Sequence, residues 1–127
     1  MLVAALVIAA LAAVLHVYIF AMESLWWTTP RVRATFGLSE EEARASRVMA
    51  FNQGFYNLFL AIITASGIVA WFVGSHAVGA ALVIAGVGAM LAAALVLIVS
   101  DRTKASAAIK QGALPLLALV ALAVSAL

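Results

Sequence analysis

Two ionisable side chains, His16 and Glu23, sit inside a long apolar run near the start of this 127-residue chain. They are seven residues apart. In an α-helix seven residues return to within about 20° of the starting direction and rise roughly 10 Å. The two therefore share one face. A carboxylate placed there can hold a cation or accept a proton, and an imidazole titrates in the physiological range. A second group, Asn52, Gln53, Tyr56 and Asn57, puts four polar side chains within six positions. Gln53 and Asn57 are four apart and form one helical stripe, with Asn52 and Tyr56 beside it. Gln111 opens a later apolar run. Amides both donate and accept, so they can orient a polar ligand.

What must position these residues follows from composition. Hydrophobic residues make up 68% of the chain and charged residues 9%. Mean hydropathy is +1.23. A soluble domain carries about 25% charged residues, so soluble globular, disordered and nucleic-acid-binding classes are excluded. The basic pI near 9.5 reflects a surplus of two charges, seven Lys and Arg against five Asp and Glu. It is no nucleic-acid footprint. The absence of Cys excludes disulfides, thiolate metal sites and Cys nucleophiles.

A spanning helix needs about 20 mainly apolar residues. Four runs meet that length, at about 2–27, 48–73, 77–100 and 106–127. The fourth reaches it only by including Lys110, which can snorkel to the surface. Alternating strands are not seen, and irregular backbone cannot face lipid. The expected fold is all-α: one integral membrane domain, a four-helix bundle in the lipid bilayer. The first run lacks a basic leader segment and exceeds signal-peptide length, so it is read as a span.

All seven basic residues fall in two connections. Arg31, Arg33, Arg44 and Arg47 lie in the first, and Arg102, Lys104 and Lys110 border the third. The positive-inside rule then places these loops in the cytoplasm and both termini outside a cell inner membrane. Within the first loop Pro30 stops the first helix, and Trp26 and Trp27 suit the headgroup level. Ser39 with Glu42 three residues on is a capping-box signature. A short amphipathic helix should start at Ser39, lie at the inner surface and run into the second span.

Antiparallel spans let depths be compared. Glu23 should lie level with Asn52 and Gln53, and His16 near Asn57. Gln111 enters from the same side, so the candidates fall in the inner half of the bundle. Two readings compete. In one, His16, Glu23, Asn52, Gln53, Tyr56, Asn57 and Gln111 line a polar pocket for a small polar or cationic ligand. In the other, the groups only bond across helices and hold the bundle together. An intramembrane His and Glu on one face favour the first. A metal site is not expected, because His16 and Glu23 are too far apart to chelate one ion and His76 lies in the external loop. No cofactor is indicated.

On the third span Ala77, Ala81, Ala85, Ala89 and Ala93 recur every four residues, with Gly79, Gly86 and Gly88 alongside. Such a stripe lets backbones approach closely, within the bundle or in a second copy. Pro115 inside the fourth span frees a carbonyl.

Several of these segments resemble one family. Leu15-His16-Val17-Tyr18-Ile19, Met22-Glu23 and Trp26 resemble the first helix of small bacterial membrane proteins catalogued as domain of unknown function thirteen-oh-four. Phe36-Gly37-Leu38 follows at the expected place. Asn52-Gln53-Gly54-Phe55-Tyr56-Asn57-Leu58-Phe59-Leu60-Ala61 is similar to its most specific motif, and Gln111-Gly112-Ala113-Leu114-Pro115 to its last-helix signature. Leu15 stands where the family often has an acidic residue, and Leu58 where it often has Gly. The resemblance implies a four-helix membrane protein in which the seven candidate residues are signature positions. It implies no activity.

Three functions are therefore weighed. The first is ligand binding in the inner-half pocket, extended to transport. The second is an accessory or assembly subunit of a membrane complex, its polar cluster structural. The last is a membrane enzyme using Glu23 or His16 as acid or base. Four helices enclose little room, which points to a homo-oligomer or a subunit of a larger complex.

Overall fold

The computed structural model describes residues 1–125; residues 126 and 127, the end of the expected fourth span, lie outside the described residues. Helix α1 runs Leu2–Phe20 and continues into a π-helical turn, Ala21–Leu25. Two short helices follow, α2 (Pro30–Phe36) and α3 (Glu40–Ala45). Then come α4 (Arg47–Phe72), α5 (His76–Ser100), a 3-10 turn (Arg102–Lys104) and α6 (Ala105–Ser125). Among the described residues four helical stretches are long and apolar enough to cross a bilayer: Leu2–Leu25, Arg47–Phe72, His76–Ser100 and Arg102–Ser125. The protein is a four-helix membrane bundle.

The spans form a ring in the order α1, α4, α5, α6, with α1 also touching α5 across the middle. Lipid tails are as apolar as the side chains, so burial from water does not drive these helices together; close packing does. The interior accordingly holds small and medium residues: Leu6, Ala9 and Ala12 from α1, Val83, Val87 and Met90 from α5, and Ala118 from α6. Helices α4 and α5 come nearest at Gly67 and Gly79. A Cβ on Gly67 would lie 2.6 Å from the Val83 nitrogen, and one on Gly79 the same distance from the Trp71 nitrogen. The stripe of α5 that packs inward is Gly79, Val83, Gly86, Val87, Met90 and Ala94. The alanine stripe at 77, 81, 85, 89 and 93 is exposed throughout. Of its two expected uses, packing within the bundle is overturned, because the glycines allow the closer approach and take the inner face. Pro115 is buried inside α6, and its missing N–H leaves the Gln111 carbonyl without the usual helical donor.

One end of the bundle carries all the Lys and Arg side chains. There α2 folds against the end of α1, and α3 packs on α4. Pro30 does more than stop the first span: it occupies the first turn of α2, with Thr29 as N-cap accepting from the Val32 N–H. The ring constraint presets a helical φ, so the breaker of one helix is the starter of the next. Gly37, at φ 67°, ends α2 in the left-handed conformation that favours glycine. Both capping-box bonds at Ser39 form, Glu42 N to Ser39 Oγ at 3.1 Å and Ser39 N to Glu42 Oε2 at 2.8 Å. Helix α3 does not run unbroken into α4, since the chain bends at Ser46.

The segment is amphipathic. Val32 is buried against Ile19 and Met22, with Phe36, Trp27 and Leu15 packed around them. Trp27 donates to Ser46 Oγ at 3.1 Å. Lys104 Nζ donates to the Phe36 carbonyl at 2.9 Å, tying the connection after α5 to the end of α2. Two hydrogen bonds from Ser39 hold the Glu42 carboxyl below its usual range, helped by the Lys104 ammonium. Bonds from Thr103 do the same for Asp101.

Candidate functional site

Glu23 lies in the π turn. The turn closes with the Trp26 N–H on the Ala21 carbonyl at 3.0 Å, one residue wider than an α-helical bond. Such turns are rare and recur at functional sites. Gly54 of α4 makes room for this one. A Cβ there would collide with Ser24 Oγ and sit 3.0 Å from the Phe20 carbonyl oxygen. Ser24 Oγ donates to the Phe51 carbonyl at 2.8 Å, and the Phe20 and Phe55 rings meet edge-on at 5.1 Å.

Across this contact Asn57 Nδ2 donates to Glu23 Oε2 at 2.8 Å. The same nitrogen donates to the Gln53 carbonyl at 3.1 Å, which fixes the amide on its own helix. Glu23 Oε1 is neither hydrogen-bonded to another side chain nor among the fully buried unpartnered atoms. It is therefore not fully enclosed by protein. Glu23 meets Asn57, one turn farther from the basic end than the expected level of Asn52 and Gln53. The reason is side-chain direction: Cβ atoms lean toward a helix N-terminus. On antiparallel helices Glu23 leans away from the basic end and Asn57 leans toward it.

His16 is separate from this pair. It is fully buried, and Nδ1 lies 2.9 Å from the Ala12 carbonyl of its own helix. Its Nε2 is buried and has no hydrogen-bond partner. The seven-residue spacing assumes an unbroken α-helix, whereas the chain is π-helical from Ala21 to Leu25. The amides divide as well. Asn57 faces Glu23, whereas the side chains of Asn52 and Gln53 are exposed. Tyr56 is 64% exposed. Gln111 is half-buried near the start of α6. The structure thus joins Glu23, Asn57 and the Gln53 backbone, and leaves the other candidates apart from them.

Ser24 and Gly54 were not among the sequence candidates. Gly54 carried a signal, since a glycine inside a helical run of polar residues marks close backbone approach. Among the described residues no three His, Asp or Glu side chains gather. A cation at Glu23 would meet the carboxylate oxygen that Asn57 leaves unbonded, since the Asn57 amide turns its N–H toward the carboxyl. Two clefts, of about 400 and 250 Å³, lie elsewhere between helices. Alanines, valines and isoleucines line the first, at Ala13, Val17, Ala61 and Ala65 among others.

The family described as Protein of unknown function (DUF1304) matches residues 10–123. The chain belongs to this family. No curated protein and no solved structure matches it. The DUF1304 match covers the π turn, the Glu23–Asn57 pair and Pro115, and the family description states no activity.

Proposed function

We propose that this DUF1304 protein binds a small polar or cationic ligand at Glu23, in the half of the bundle nearest its basic end. The observation that supports this reading is the Glu23–Asn57 pair. One carboxylate oxygen accepts from an amide that is itself held by the Gln53 carbonyl, and the other is unbonded and not fully enclosed. A charged group within a span is costly and ordinarily serves a site. A carboxylate with one oxygen held and one free is a seat for an ammonium, a guanidinium or a hard metal ion. The positive-inside rule puts the basic end, and so this site, on the cytoplasmic side of the membrane, with both termini outside. Transport of the ligand is the natural extension.

The test uses the purified chain in detergent with ammonium, methylammonium, guanidinium, sodium and magnesium as probes. At least one should raise the melting temperature of the native chain, and Glu23→Gln should abolish that rise while keeping native helicity. If no probe shifts the native chain, or if Glu23→Gln responds equally, the carboxylate is not a ligand seat.

A second reading is favoured by the outward alanine face of α5, from Ala77 to Ala93. Small residues there suit the flat face of a partner helix. In that reading the chain is an accessory or assembly subunit and the polar pair is structural. Glu23→Gln would then loosen the bundle or the complex and leave no ligand effect to lose.

A further inference from the structure

Helix α4 has a polar face that this chain alone leaves uncovered. Met49, Asn52, Tyr56, Phe59, Ile63 and Ser66 alternate at spacings of three and four, and all are exposed. The helix has 26 residues, so it is about 39 Å long. A hydrocarbon layer of about 30 Å centred on it leaves roughly three residues outside at each end. Asn52, Tyr56 and Ser66 therefore lie at hydrocarbon depth. The outward faces of the other spans are different. They present Val7, Leu11 and Val14 on α1, Ala85 and Val96 on α5, and Leu116 and Val120 on α6. Mostly apolar surface meets lipid there, with Tyr18 on α1 and Lys110 on α6 among the exposed exceptions.

An amide turned toward acyl chains has no hydrogen-bond partner, and polar side chains in spans ordinarily face protein. The heptad spacing is the seam of a left-handed helix pair or trio, where a single Asn fixes register and strand number. We infer that α4 is the interface of a homo-oligomer, packing along this seam against α4 of further copies of the chain.

Two arguments make a second copy the occupant. The Asn side chain carries both a donor and an acceptor, so two of them satisfy each other across a symmetry axis. Copies inserted in the same sense also carry Asn52 at the same depth, with the hydroxyls of Tyr56 and Ser66 following in register. An unrelated helix brings no such match. The inference stands apart from the ligand proposed above, because Glu23 is not on the seam.

The natural absence of Cys makes the test direct. Single variants Phe59→Cys and Ile63→Cys sit on the seam, and Ala85→Cys and Leu116→Cys sit on the outward faces of α5 and α6. Each full chain is purified, reconstituted in phosphatidylcholine–phosphatidylglycerol vesicles at low density and oxidised with copper phenanthroline. The seam variants should form covalent dimers, and the other two should not. Asn52→Leu added to Ile63→Cys should weaken association by about three- to thirtyfold, read as cross-linking against lipid dilution. Circular dichroism checks that each variant is helical. Equal cross-linking on all faces, cross-linking at Ala85→Cys alone, or no cross-linking at any position would overturn the inference.

Discussion

The Lys104 ammonium donates to the Phe36 carbonyl at 2.9 Å, bridging two residues 68 positions apart. Phe36 ends α2, where helix carbonyls lack donors and favour a cation. The bond joins the two basic connections, and with them the first and last spans. Lys104→Met keeps the aliphatic stem and removes the donor. In a half-exposed setting the loss is about 1 kcal/mol. Hydrogen exchange over residues 30–45 should speed up roughly fivefold, with the spans unchanged. Unchanged exchange there would show that Val32 and Phe36 hold the segment unaided.

The Glu42 carboxyl, held low by Ser39, links this segment to pH. A depressed folded value contributes stability above the unfolded value, and that stability is lost as pH falls through the folded one. Ordering of α3 should therefore be complete at neutral pH and weaken below about pH 4.3. Glu42→Ala should flatten that acid dependence, measured by exchange or by the helical signal of the segment. An identical acid profile in both proteins would place the transition at another carboxylate.

His16 is fully buried with Nε2 unpartnered. A buried polar atom without a bond destabilises relative to an apolar group of similar shape. His16→Leu should thus hold or raise the melting temperature. His16→Ala should cost about 2–4 kcal/mol through the cavity it leaves. If His16→Leu is as damaging as His16→Ala, Nε2 has a partner in the membrane and the imidazole joins the site.

The approach of α4 and α5 predicts a contrast between two glycines. A Cβ on Gly79 would press on the Trp71 backbone, whereas one on Gly88 would meet nothing within 4 Å. Gly79→Val should cost about 1–3 kcal/mol, seen as a lower melting temperature in detergent. Gly88→Ala should be neutral.

Much of this architecture was legible beforehand. Apolar runs of membrane length leave few alternatives to helices, and the capping box at Ser39 depends only on side chains three residues apart. What hydropathy could not show was facing. Its period is uninformative when a helix is apolar all round, so the alanine and glycine stripes of α5 could not be ranked. Steric need decides, and Gly79 and Gly86 win the inner face. Pro30 read as a stop because a proline ends one helix and begins another by the same fixed φ. The π turn at Ala21–Leu25 had no local signature. It answers to a tertiary contact with Gly54. The amides were found by type, yet their division between Glu23 and the outer face of α4 depended on where α1 and α5 lay.

The ring order has a consequence for biosynthesis. Its closing contact joins α1 to α6, the first and last of the described spans. The chain leaves the ribosome amino terminus first, so the packing face of α1, at Leu6, Ala9 and Ala12, enters the membrane before the Ala118 face of α6 exists. Until then that flank of α1 has only lipid or the insertion machinery to pack against. Helix α6 thus acts as the keystone, and a chain cut short before it would leave that flank of α1 without its packing partner.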